Sequence, residues 1–146
     1  MNNKTLLIIM CFCSAPLMAD WSDFGDNDSD DTLSTIKTLV DQQQYSAAIE
    51  SLETVLDSTP DDADAWNLMG FAQRNIGEVQ AADTAYKNAL KLNPDHKGAL
   101  EYQGELFVQQ GKLELAIANR NRLAELCPSG CEELDDLDEA LADSKI

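Results

Sequence analysis

The chain has 146 residues and a formal net charge of −17, with 27 acidic side chains against 10 lysines and arginines. That balance disfavours nucleic acid and anionic membrane surfaces as partners, because both attract displaced counterions and Lys or Arg contacts. His96 is the sole histidine and no phosphate-cradling glycine loop occurs, so the composition points away from an enzyme and from any cofactor.

Residues 1–19 read as a secretory signal: an early cation at Lys4, an apolar run from Leu6 to Cys13, and small Ala19 before acidic Asp20. The stretch from Leu6 to Ala19 is broken by Ser14 and Pro16 and falls short of the roughly 20 residues that a spanning helix needs. Cleavage near Asp20 is therefore expected, with a retained anchor as the alternative. The mature protein would be periplasmic or secreted, without stable membrane insertion.

Residues 20–31, DWSDFGDNDSDD, carry six aspartates and almost no aliphatic side chain, which predicts an acidic, disordered leader. Asp26, Asp28 and Asp30 have the spacing of the first calcium-loop ligands, but Asp31 replaces the turn glycine and Lys37 the closing glutamate. Trp21 and Phe24 are the aromatic anchors such a tail could dock with.

From residue 32 to 146 the chain is periodic. Ala48, Ala82 and Ala116, then Pro60, Pro94 and Pro128, recur every 34 residues, and a period of that length predicts an all-α solenoid of helical hairpins. The repeats span 29–62, 63–96 and 97–130. In the second, Trp66, Met69, Gly70 and Ala72 share one helix that Gly77 breaks. Ala81, Ala82, Tyr86, Ala89 and Leu90 follow on another that Pro94 ends. Small Gly70, Ala82 and Ala89 would let the paired helices approach, with Trp66 and Tyr86 filling the space between turns.

The third repeat keeps Leu100, Gly104, Phe107, Ala116 and Pro128, but has Arg120 where an aromatic is wanted and Leu123 for alanine. The first keeps Leu39, Tyr45, Ala48, Leu52 and Pro60, with Ile36 for the glycine and Thr32 for the tryptophan. Residues 131–146, with Leu134, Leu137, Ala140 and Leu141 on one face and Glu132 and Glu133 in the first turn, predict a capping helix. Cys11 and Cys13 leave with the signal, so Cys127 and Cys131 remain. An even pair in an exported chain favours a disulfide staple; a redox pair or half a metal site are the other readings.

The segment 63–96 resembles the tetratricopeptide repeat through Trp66, Met69, Gly70, Ala82, Tyr86, Ala89 and Pro94, with Gln73 departing from the usual large residue. The resemblance implies a right-handed superhelix of three hairpins plus the cap, in which the first helix of each hairpin lines a concave groove. Carried onto this sequence, the groove residues are Leu33, Lys37, Val40 and Asp41, then Asn67, Phe71, Arg74 and Asn75, then Glu101, Glu105, Val108 and Gln109. The implied partner is a protein or peptide segment. Asn67 and Arg74 suit a carboxylate clamp, but Glu101 and Glu105 oppose one, so an uncharged or basic segment is expected. Phe71 and Val108 have a second reading as packing between neighbouring helices. The ending CPSGCEELDDL is similar to that of small exported bacterial members of the family, which implies a bacterial envelope protein without assigning a role; the expected function is a groove-binding adaptor or assembly factor of an envelope complex. A self-associating scaffold, or a redox- or metal-responsive factor acting through Cys127 and Cys131, are the alternatives.

Overall fold

The computed structural model describes residues 28–144, with side chains from residue 31. The signal and most of the leader, with Trp21, Phe24 and Asp26, lie outside the described residues. Among those described there are seven helices and no strand: α1 (Asp28–Asp41), α2 (Tyr45–Ser58), α3 (Ala63–Asn75), α4 (Val79–Leu92), α5 (Lys97–Gln109), α6 (Leu113–Leu126) and α7 (Glu132–Asp143). None is long and apolar enough to cross a membrane. The first helix corrects one boundary. It opens at Asp28, inside the stretch expected to be disordered to residue 31, so the acidic run itself supplies the helix N-terminus, where negative charge is favoured.

Each hairpin turns in the same way. The last turn of α1, α3 and α5 closes with two crossed backbone bonds, as in Glu78 N–H to Gln73 O at 2.9 Å and Gly77 N–H to Arg74 O at 3.1 Å. This geometry needs one residue in the left-handed region. Gly77 and Gly111 fill it at φ 86° and 71°, whereas Gln43 occupies it at φ 59°. Between hairpins, Pro60, Pro94 and Pro128 each sit second in a tight turn. The closing bonds are Asp62 N–H to Thr59 O, His96 N–H to Asn93 O and Gly130 N–H to Cys127 O, at 3.3, 3.1 and 2.9 Å. Proline suits this place because its fixed φ matches the turn and its missing N–H is not needed.

The next helix is then capped. Asp62 Oδ1 accepts from Ala65 N–H at 3.0 Å, and one repeat later His96 Nδ1 accepts from Ala99 N–H at 3.1 Å. The Asp62 cap contributes about 1 kcal/mol. His96 is thus a structural residue, and its Nε2 reaches Asp64 at 2.8 Å, which ties the second inter-repeat turn back to α3.

Packing follows the same register. Leu33, Ile36, Leu52, Leu56 and Met69 form an N-terminal core, and Leu100, Phe107, Leu123, Leu137 and Leu141 a C-terminal one. Ala82, Tyr86 and Leu106 lie in a cluster of their own on α4 and α5. The first repeat has Ile36 in place of the glycine because its facing position holds Leu52, which is smaller than the tyrosine of the second repeat; both are fully buried. In the third repeat Arg120 cannot fill the space over Gly104. Leu137 of α7 does so instead, and a Cβ on Gly104 would meet its Cδ2 at 2.6 Å. Arg120 turns outward and forms a two-pronged bond with Asp138 of α7 at 2.7 and 2.9 Å. The capping helix therefore completes the third repeat as well as covering it.

Gln73, the residue that departs from the repeat pattern, is half-buried and its Oε1 has no partner among the described residues. Cys127 and Cys131 are brought sulfur to sulfur across the α6–α7 turn, with Cα atoms 5.8 Å apart.

Candidate functional site

A cavity of about 380 Å³ opens between the first helices of the three hairpins. Lys37, Val40 and Asp41 line it from α1, Asn67, Leu68 and Phe71 from α3, and Tyr102 from α5. Five of the residues carried over as groove contacts, Lys37, Val40, Asp41, Asn67 and Phe71, therefore meet on one concavity. The helical spacing explains this: 37, 40 and 41 share a face of α1, and 67, 68 and 71 share one of α3.

One wall is aromatic. The Phe71 and Tyr102 rings lie 5.0 Å apart at 55°, with Tyr45 6.3 Å from Phe71 and Tyr86 6.4 Å from Tyr102. Such tilted pairs hold one another in place. Phe71 is thus both a packing residue and a cavity wall. Neither Tyr102 nor Leu68, one repeat before it, was among the residues expected in the groove, yet both line the cavity.

Arg74, carried over as a groove contact, is tied to neighbouring side chains within the fold. Its guanidinium lies 5.7 Å from both the Phe71 and Tyr102 ring centres, and Nη1 donates to Glu105 Oε2 at 2.5 Å and to the Tyr102 carbonyl at 3.4 Å. With both its charge and its face engaged, it is not a free cation for a ligand carboxylate, and Glu105 is likewise paired. Asn75 is exposed and bonds back to the Phe71 carbonyl at 2.9 Å. Val108 packs against the C-terminal core.

Glu101 departs most from expectation. It was carried over as a charged contact on the open groove, but only 6% of it is exposed. Burial raises its carboxyl to about 8, and the nearby Glu105, Asp136 and Glu133 push the same way while Arg74 opposes them. Burial also raises the Tyr102 phenol, with Glu101 and Glu105 adding to the effect. Asn67, one repeat earlier, is 8% exposed and its Oδ1 has no hydrogen-bond partner among the described residues. A buried acceptor left open costs about 1–3 kcal/mol.

At the far end, Cys127 and Cys131 lie with Glu133 in a group whose donor atoms are all within 4.8 Å.

Comparison with known proteins agrees with the helical-hairpin fold. Residues 37–77 match a family model described as TPR repeat, and residues 69–130 one described as tetratricopeptide repeat. Protein FlbA of Caulobacter vibrioides is 31% identical over 74 residues, 51% of this chain, and the chain spans only 12% of that relative's length. Among solved structures, the type III secretion translocator chaperone SycD of Yersinia enterocolitica, in an alternative dimer, superposes with a TM-score of 0.73 at 16% identity, covering 84% of this chain and 96% of that one. The first TPR domain of Spaghetti (RPAP3), bound to an HSP90 peptide, superposes with a TM-score of 0.68 at 21% identity, covering 81% and 96%.

Proposed function

This chain belongs to the tetratricopeptide repeat family, a fold of protein-interaction modules, and from that premise we propose that it holds an extended segment of a protein partner in the cavity between α1, α3 and α5. The observation that carries the reading is the concave pocket itself, walled by Phe71 and Tyr102 and lined by the polar side chain of Asn67. An extended backbone offers N–H donors at regular intervals, and its apolar side chains suit an aromatic wall. The solved RPAP3 relative, which holds a peptide, lends support by analogy of fold.

The setting belongs to the same proposal. The signal-like start and the Cys127–Cys131 pair suit an exported protein of the bacterial envelope, acting as an adaptor or assembly factor, with the pair as an oxidised staple on the last turn. N-terminal sequencing of protein recovered from a periplasmic extract tests the export; an intact Met1 in that material contradicts cleavage.

Peptide selection on the native chain, followed by titration of the selected sequences against Asn67→Ala and Phe71→Ala, tests the groove. Each substitution is expected to weaken binding by about tenfold or more, the scale of a lost buried anchor. Unchanged affinities would place the binding surface elsewhere.

Self-association is a second reading, motivated by Leu115 and Ile117 of α6, which are 49% and 45% exposed. It predicts sedimentation that depends on protein concentration and is abolished by Leu115→Ser with Ile117→Ser.

A further inference from the structure

Asn67 and Glu101 hold the same place in successive repeats, on α3 and α5, and share an unusual state. Each is more than nine-tenths buried. Asn67 Oδ1 lacks a partner, and Glu101 carries neither an ion pair nor a side-chain hydrogen bond among the described residues.

Carboxylates surround Glu101. Glu105 stands one turn on along α5, with Glu133 and Asp136 on α7, and the cation that opposes them, Arg74 of α3, is already committed to Glu105. Lys97, at the start of α5, reaches Glu133 at 3.6 Å. From α4, Asp83 is engaged by Lys87 and Gln103, and Tyr86 is buried. From α6 comes the neutral amide of Asn119, bonded to the Leu100 carbonyl and to Gln103. The unmet charge at this end of the groove is negative, and the group that most lacks a partner is Glu101.

We propose that the groove selects a basic segment, whose lysine or arginine side chain pairs with Glu101 between α5 and α7. This rests on the groove reading above and adds the chemistry of the partner.

The proposal also links binding to protons. A buried carboxyl held among other carboxylates keeps its proton near neutral pH, so pairing with a cation expels that proton to solvent while the ligand keeps its own. The neutral acid becomes a carboxylate in a charge-assisted bond.

Calorimetric titration of the full chain tests this with two end-blocked heptapeptides of alternating alanine and leucine, one with a central arginine and one with citrulline, which keeps the shape and loses the charge. The arginine peptide is expected to bind about tenfold more tightly, as a charge-assisted bond warrants. At pH 7, in buffers of different ionisation enthalpy, its binding should release close to one proton. In Glu101→Gln both the preference and the release should vanish. Equal binding of the two peptides, or a preference with no proton release, overturns the basic-segment proposal and leaves the groove reading standing. Failure of both peptides to bind overturns the two together. The arginine–citrulline comparison uses the native chain, so it decides even if Glu101→Gln does not fold.

Discussion

The ring of Tyr86 lies directly on Gly70: a Cβ there would come within 2.6 Å of Tyr86 Cε1. Tyr86 is fully buried between α3 and its partner α4, and its phenol oxygen has no hydrogen-bond partner among the described residues. Shape, more than polarity, fixes both residues.

Gly70→Ala is therefore expected to destabilise by about 1–3 kcal/mol, because the ring must move and this outweighs the gain in helix propensity. Tyr86→Phe keeps the ring and removes an unpaired hydroxyl, so it should be neutral or stabilising by up to about 1 kcal/mol. Urea denaturation of both variants checks the pair, and a large loss in Tyr86→Phe would show that the hydroxyl has a partner.

Leu137 does the equivalent work over Gly104. Leu137→Ala should cost about 2–5 kcal/mol through the cavity it leaves. Gly104→Ala alone should also be costly, whereas in the Leu137→Ala background it should cost much less, because the added methyl enters the space just vacated. Additive losses in a double-mutant cycle would mean that the two do not share that space.

Gln43 sits at positive φ where the next two repeats have Gly77 and Gly111. Gln43→Gly is expected to stabilise by about 0.5–1 kcal/mol, since glycine meets no Cβ penalty in that region. A thermal melt reads it as a raised midpoint.

Stability should also depend on pH through Glu101. Its carboxyl ionises near the ordinary 4.5 when unfolded and at about 8 when folded. As pH climbs through that window the unfolded chain gives up a proton that the folded chain keeps, so stability falls and then levels off above it. Glu101→Gln should match the parent near pH 5 and exceed it at pH 9 by on the order of 3 kcal/mol, at about 1.4 kcal/mol per unit less some relaxation. Asp138 contributes in the opposite sense, because its bond with Arg120 holds its carboxyl low; its stability is lost only in acid. Parallel pH profiles for parent and variant would contradict the burial of Glu101.

Reduction of the Cys127–Cys131 pair should lower stability by about 2 kcal/mol, since the loop it closes is short. Helix content should be retained, because α7 is also held by Leu137 and by Arg120. A thiol count on unreduced protein fixes the starting state, and metal-dependent stabilisation of the reduced form would favour the donor group with Glu133.

The 34-residue spacing by itself determined the all-α hairpin architecture and the turns at Pro60, Pro94 and Pro128, and the family resemblance supplied the register that brought Lys37, Val40, Asp41, Asn67 and Phe71 to one cavity. A backbone period is local information: it repeats the same turn and the same helical face wherever the landmarks recur. What it could not supply was the state of each side chain once neighbouring helices close over it. Only the tertiary packing paired Arg74 with Glu105, placed Leu137 where Arg120 could not reach, added Tyr102 to the wall and buried Glu101 under α7. Those outcomes depend on residues from different repeats competing for the same space and charge, and no single repeat contains them.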